Sequence, residues 1–99
     1  ANRYTVNRNI LKQSPSVKHY FVVSGDHYSD ALPASLLAEK LNAGILFVRS
    51  GSPSNIKEQL TFAMEQGVEK FTLIGGLRTL SLSTQKMIQN PEKYFPELF

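Results

Sequence analysis

Three short polar segments hold the side chains whose types could bind or activate a ligand. They are residues 24–30 (Ser-Gly-Asp-His-Tyr-Ser-Asp), 49–52 (Arg-Ser-Gly-Ser) and 75–79 (Gly-Gly-Leu-Arg-Thr). Each segment leads into a stretch of helical pattern, and the first N–H groups of a helix are unpaired and partially positive. Such helix starts bind anions, and an arginine adds planar donors that fit phosphate or carboxylate. The predicted binding residues are Gly25, Asp26, Arg49, Gly75, Gly76 and Arg78.

The residue patterns of common enzymes and metal proteins are absent from the sequence. There is no GxGxxG or Walker motif for a nucleotide and no GxSxG motif for a serine nucleophile. The chain has no cysteine, which excludes disulfides, thiolate zinc sites and cysteine nucleophiles. Asp26, His27 and Asp30 could hold a cation, but Asp30 is better explained as a helix cap and Asp26 as a turn carboxylate. His19 is expected as a partly buried strand residue, so we predict no catalytic residue, metal or cofactor.

Three apolar runs predict the elements that position these loops. Residues 20–23, 45–48 and 71–74 are rich in β-branched and aromatic side chains without polar alternation, which is typical of strands buried in a parallel sheet. Helical patterns fill the gaps, and right-handed crossovers favour the strand order second, first, third. The predicted fold class is therefore α/β, a three-layer Rossmann-like domain with a short parallel sheet (order 2-1-3) flanked by helices. Ligands of such sheets bind at the carboxyl edge, where the three polar segments lie.

The first two helices are predicted from apolar spacing. One is expected over residues 4–12, with Val6 and Ile10 facing inward. The next, capped by Ser29 or Asp30, has a leucine stripe that we expect to face the sheet. That stripe consists of Leu32, Leu36, Leu37 and Leu41.

Two later helices have clear start and stop residues. Ser52-Pro53 supplies a cap followed by a proline in the first turn, and Gly67 supplies the C-terminal turn. Ser81 can cap a last helix, which must end before Pro91.

Composition limits the possible functions further. A chain of 99 residues with 41% hydrophobic residues fits one folded domain. The net charge is +3, and the basic excess lies in residues 1–18, which favours a polyanionic partner but equally fits a solvated helix face. No apolar run approaches the ~20 residues of a membrane helix, and arginines do not alternate with aromatic residues. We expect no membrane insertion and no nucleic-acid binding, and a signal peptide would lie outside this sequence.

Several short motifs follow one another in a specific order. They are Val22-Val23-Ser24-Gly25-Asp26, Ser29-Asp30-Ala31-Leu32, Leu41-Asn42-Ala43-Gly44-Ile45-Leu46, Leu73-Ile74-Gly75-Gly76 and Leu80-Ser81, preceded by Asn2-Arg3-Tyr4-Thr5. This set resembles the cell wall binding repeat 2 family over about residues 2–90. We interpret residues 1–99 as a single repeat, with an aromatic tail at 91–99.

The resemblance implies a non-catalytic module outside the cell, in the wall of Gram-positive bacteria. Such repeats usually occur as three in tandem, and they anchor an attached enzyme or adhesin by binding an anionic secondary wall polymer, a glycopolymer, non-covalently. Polymer binding in the family has been linked to a Pro-Ile-Leu-Leu strand. This strand corresponds to residues 44–47, where Gly44 replaces proline and Phe47 replaces leucine.

Other functions and partners remain open at this point. One is a structural or protein-interaction domain of the same fold; another is a small phosphate-ligand enzyme, for which paired catalytic groups are missing. The tail offers a self-association surface, because large apolar side chains avoid water. These are Tyr94, Phe95, Leu98 and Phe99. They could fold back on their own sheet, but we expect packing on a neighbouring copy to contribute, giving a homo-oligomer.

Overall fold

Helices and strands alternate along the chain in a computed structural model that describes residues 2–26, 31–74 and 80–98, with the backbone only at 31 and 32. The helices are α1 (Arg3–Leu11), α2 (Ala31–Leu41), α3 (Pro53–Glu65), α4 (Leu82–Gln89) and the short α5 (Pro91–Tyr94), followed by a 3₁₀ turn at Pro96–Leu98. The strands are β1 (His19–Ser24), β2 (Gly44–Val48) and β3 (Lys70–Leu73).

The three strands form one parallel sheet in the order β2-β1-β3. The central strand β1 pairs Tyr20 with Gly44 of β2 on one side and with Phe71 of β3 on the other. Its apolar residues from 20 to 23 are buried on both faces, which is why the run shows no polar alternation. The predicted α/β fold class and strand order are confirmed.

Helix starts and stops follow the predicted local chemistry. The Ser52 side chain accepts the Asn55 N–H at 3.4 Å, and Pro53 opens α3. The Ser81 side chain accepts the Thr84 N–H at 3.3 Å, and α4 ends before Pro91. Gly67 has a φ of +76°, a conformation that favours glycine in a turn after a helix. The predicted cap of α2 at Ser29 or Asp30 lies outside the described residues.

The main core lies between one face of the sheet and the helices α3 and α4. Its buried members include Val22, Leu46 and Val48 from the strands, together with Ile56 and Leu60 from α3. Ile56 and Leu60 are four residues apart, so they place one apolar face of α3 against the sheet.

The predicted inward faces of α1 and α2 are wrong. Leu36, Leu37 and Leu41 are 59%, 45% and 55% exposed, whereas Ala34 and Ala38 of α2 are buried. In α1 the predicted Val6 and Ile10 are also exposed, and Tyr4, Asn7 and Leu11 are buried instead. Both helices carry two stripes at helical spacing, and the stripe that is buried is the alanine stripe in α2 and the stripe of Tyr4, Asn7 and Leu11 in α1.

Side-chain amides complete the outer edge of β2. The Asn7 amide nitrogen donates to the Ile45 carbonyl at 2.8 Å, and its oxygen accepts the Phe47 N–H at 3.0 Å. The Gln59 amide nitrogen donates to the Phe47 carbonyl at 2.7 Å. The Arg8 guanidinium donates a hydrogen bond to the side-chain oxygen of Gln59 at 2.6 Å. These buried side chains supply the hydrogen bonds that a fourth strand would otherwise make.

Replacing the central amide of this edge should destabilise the domain. Asn7→Ala leaves the Ile45 carbonyl and the Phe47 N–H without their partner, so we expect a loss of about 1–3 kcal/mol in the free energy of unfolding. Urea denaturation measures this loss. The matched control is Asn9→Ala on the exposed side of the same helix, for which we expect a change below about 0.5 kcal/mol. Equal effects of the two substitutions would contradict the assigned role.

The tail folds back on its own domain. Phe95 is buried in the main core, and Leu98 packs against it half-buried. Lys57 of α3 contacts Glu97 at 2.6 Å, and this hydrogen bond lowers the pKa of the Glu97 carboxyl. Tyr94 remains exposed, and Phe99 lies outside the described residues. Of the two arrangements considered for the tail, the structure shows the intramolecular one for Phe95 and Leu98.

Removal of the buried tail aromatic should therefore weaken the fold itself. Phe95→Ala should cost about 3–5 kcal/mol, the usual range for a large-to-small change in a core. Tyr94→Ala, which removes the preceding exposed aromatic, should cost less than about 1 kcal/mol. Thermal unfolding of both variants is the measurement. A fully stable Phe95→Ala protein would show that the tail is not part of the core.

Candidate functional site

The carboxyl edge of the sheet brings together residues from β1, β2 and α1. Gly25 and Asp26 follow β1, and Arg49 follows β2. Arg3 and Tyr4 arrive from the first turn of α1, which Asn2 caps by accepting the Thr5 N–H at 2.9 Å. The other predicted residues, Gly75, Gly76 and Arg78, lie outside the described part of the chain, so the structure does not test their placement.

Gly25 makes room for the Tyr4 ring. A Cβ at position 25 would lie 2.7 Å from the Tyr4 hydroxyl oxygen, closer than side-chain carbons pack. The Gly25 N–H already donates to the Val48 carbonyl at 2.9 Å. Its contribution to the site is therefore the close approach of Tyr4 rather than a free N–H for an anion.

Two arginines lie next to Tyr4. The Arg3 guanidinium donates a hydrogen bond to the Gly25 carbonyl and lies 3.9 Å from the Asp26 carboxylate. The Arg49 guanidinium carbon lies 5.4 Å from the centre of the Tyr4 ring, within the range of a cation–π contact. The Arg49 N–H donates to the Asn55 side chain at 2.6 Å, which fixes the backbone from which this exposed side chain extends.

The Tyr4 hydroxyl is buried without a hydrogen-bond partner in the described part of the chain. Only 3% of the Tyr4 surface is exposed. Buried hydroxyls are almost always hydrogen-bonded in native structures. This group is therefore unusual, and it lies against Gly25, whose carbonyl Arg3 binds, at the end of a ring that Arg49 contacts.

The helix starts at this edge are largely occupied by the protein's own side chains. The Gly51 N–H donates to the Thr84 hydroxyl at 2.7 Å, and the Ser81 N–H donates to the Ser50 hydroxyl at 2.9 Å. The Asn55 and Thr84 N–H groups, in the first turns of α3 and α4, donate to the hydroxyls of Ser52 and Ser81. Several N–H donors at this edge are therefore already bonded within the protein, and Arg3 and Arg49 supply its positive charge.

A metal site has no support in the described ranges, where no group of three His, Asp or Glu side chains could hold an ion. The predicted candidates His27 and Asp30 lie outside those ranges.

His19, at the opposite end of β1, is half-buried as expected and contacts the Thr72 hydroxyl at 2.6 Å. Burial and then the charge of Lys70 lower the pKa of His19, so it is neutral at pH 7 and distant from the arginines.

Residues 1–85 match the family model of cell wall binding domain 2. The chain belongs to the cell wall binding domain 2 family. The match covers most of the 99 residues, and it gives the protein a role in binding the cell wall and a place at the cell surface. The family is generally non-catalytic.

No curated protein and no solved structure matches the chain. No helix in the described residues is long and apolar enough to cross a membrane.

The strand linked to polymer binding in this family lies at the edge of the sheet. Residues 44–47 form most of β2, and Gly44, Ile45 and Phe47 of this strand line an apolar groove of about 560 Å³ together with Ile10 and Ala43. A Cβ at Gly44 would lie 2.7 Å from a methyl carbon of Leu11. The replacement of the family proline by Gly44 therefore lets α1 pack close to this strand.

Sequence reasoning placed Arg49, Gly25 and Asp26 at one edge, and the structure brings them together. It missed Arg3 and Tyr4 as part of that edge, although both stand in the family-like opening Asn2-Arg3-Tyr4-Thr5. The contact between α1 and Gly25 joins residues that are far apart in the sequence, so local spacing does not predict it. The positive charge of Arg3 in the basic N-terminal segment is the one signal that pointed to this residue.

The close approach of Gly25 and Tyr4 predicts a specific double-mutant result. Gly25→Ala should cost about 1–3 kcal/mol in the free energy of unfolding, because its methyl group meets the Tyr4 ring. The same substitution in a Tyr4→Ala background should cost much less, because the ring is gone. Chemical denaturation of the four proteins in this cycle measures the coupling. Additive effects would contradict the contact.

Proposed function

We propose that the protein is a non-catalytic module that anchors an attached protein to the cell wall by binding an anionic secondary wall polymer non-covalently. The observation that supports this most directly is the pair of arginines, Arg3 and Arg49, at the carboxyl edge of a domain from a cell-wall binding family. Guanidinium groups bind the phosphate or carboxylate groups of such polymers.

The proposed binding surface combines this pair with the neighbouring loops. Arg49, Gly25 and Asp26 form the described part, and Gly75, Gly76 and Arg78 would complete it from the loop after β3. Asp26 would act through Arg3, whose guanidinium lies 3.9 Å from its carboxylate. The excess of basic residues near the N-terminus adds a general attraction for a polyanion.

The proposed setting is outside the cell, in the wall of a Gram-positive bacterium. There the module would be joined to an enzyme or adhesin and would stand beside sister repeats or self-associate. Binding would need no catalytic group, metal or cofactor. Each contact between an exposed arginine and the polymer is weak, so anchoring would depend on several contacts along a repeating chain.

Retention on purified cell walls tests this function. The wild-type chain should bind intact walls and should lose binding after chemical removal of the anionic polymer. Arg49→Ala should weaken retention about tenfold, because a charge-assisted contact is lost. Binding should also fall steeply as NaCl is raised, because salt screens exposed charges. Lys40→Ala, which removes an exposed charge from α2, is the matched control.

Two results would contradict the proposal. One is equal retention on walls with and without the polymer. The other is retention that responds neither to salt nor to Arg49→Ala, since binding by exposed arginines must be screened by salt.

A protein-interaction domain is the second candidate, and the apolar groove beside β2 favours it. Ile45 and Phe47 are only partly buried there, and Ile10 on the rim is 60% exposed. The exposed leucines of α2 enlarge the apolar surface of the domain. A sister repeat or a second copy could pack on it.

Concentration-dependent sedimentation tests this second function. We expect a dimer or trimer at high concentration, and Ile10→Glu should abolish it by placing a charge on the groove rim. The control Asn9→Glu places the same charge one residue away. A strict monomer at every concentration would exclude self-association through this surface.

A further inference from the structure

The Tyr4 hydroxyl has no function in the packing of the free domain. Its oxygen is buried and has no hydrogen-bond partner in the described ranges. A buried polar group without a partner lowers stability. Phenylalanine would fill the same space against Gly25 without that cost. The hydroxyl therefore needs an explanation that lies outside the contacts of the unbound protein.

The surroundings of this hydroxyl have the chemistry of an oxyanion site. Arg3 bonds to the carbonyl of Gly25, and the same glycine lies against the hydroxyl end of Tyr4. Arg49 lies over the ring of Tyr4. Asp26 offsets one of the two positive charges, so the cluster keeps a single excess positive charge. Guanidinium groups and a phenol are all hydrogen-bond donors.

Resting on the proposed function, we infer that Arg3, Tyr4 and Arg49 form a subsite for one oxyanion of the wall polymer. Phosphate and carboxylate groups share the required chemistry. The two guanidinium groups bind the charge, and the Tyr4 hydroxyl donates a hydrogen bond to an anionic oxygen. The hydroxyl is covered in the unbound domain, so it donates this bond only after a side chain that covers it has moved.

This arrangement predicts opposite effects of one substitution on stability and on binding. Tyr4→Phe removes the hydroxyl and keeps the ring. It should raise the midpoint of thermal unfolding without ligand, because a buried unpaired group is lost. It should also weaken anion binding by about threefold to tenfold, because the hydrogen bond to the anion is lost.

The experiment titrates the full chain with inorganic phosphate and, separately, with glucuronate, and follows NMR chemical shifts. The two ligands distinguish phosphate from carboxylate as the source of the oxyanion. Arg49→Gln should weaken binding about tenfold, because a guanidinium contact to the anion is lost. The controls are Tyr94→Phe, which removes a hydroxyl from an exposed tail residue, and Lys40→Gln, which removes one exposed charge.

The results separate this inference from the function on which it rests. Unchanged anion affinity in Tyr4→Phe, or a lowered unfolding midpoint without ligand, would overturn the subsite. Polymer-dependent retention on walls that is insensitive to Tyr4→Phe would also overturn the subsite and leave the anchoring function intact. Phosphate or glucuronate binding that requires the cluster, without any retention on walls, would support the subsite and refute the anchoring function.

Discussion

The hydrogen bonds between Asn7 and the outer edge of β2 determine where α1 lies, and much of the molecule depends on that position. The amide pairs with the carbonyl of Ile45 and the N–H of Phe47, so α1 is fixed along the strand rather than over a face of the sheet. Tyr4 and Leu11 lie on the same side of α1, one turn before and one turn after Asn7. Tyr4 reaches Gly25, which lies beside the last residue of β2, and Leu11 reaches Gly44, the first residue of β2. The candidate site therefore exists because an edge strand needs partners for its backbone.

The two faces of the sheet are covered unequally. One face packs on α3, α4 and the tail, and it contains the main core. On the other face Ala34 and Ala38 of α2 are buried, and the described leucine side chains, those of Leu36, Leu37 and Leu41, are exposed. A sheet of three strands is narrow, so one closely packed helix covers the centre of this face and leaves Ile45 and Phe47 only partly buried. The proposed binding of an anion at the carboxyl edge and the proposed binding of apolar surface beside β2 thus belong to different regions of one small domain.

The fold was predictable from local patterns, because strands buried on both faces and helix caps have clear residue signatures. The three apolar runs, the caps at Ser52 and Ser81 and the turn at Gly67 all appear where the sequence predicts them. The faces of α1 and α2 were not predictable, since an alanine stripe and a leucine stripe share the same period. The buried stripe is decided by how close the helix comes to the sheet. Arg49 was predicted to lie at the carboxyl edge because it follows a strand directly. Tyr4 lies there because it contacts Gly25, which is 21 residues away in the sequence.

The covered edge of β2 also limits how copies of this domain can associate through their sheets. A parallel sheet with two open edges can add one copy after another, since the last strand of each sheet can pair with the first strand of the next. Asn7 and Gln59 already occupy the backbone groups of β2, so such a chain of copies has no strand on which to continue. If only the β3 edge can pair, two copies can join through their β3 strands, and no further copy can add to that pair. Side chains from two helices thereby prevent copies of the domain from growing into fibres by strand pairing through this edge.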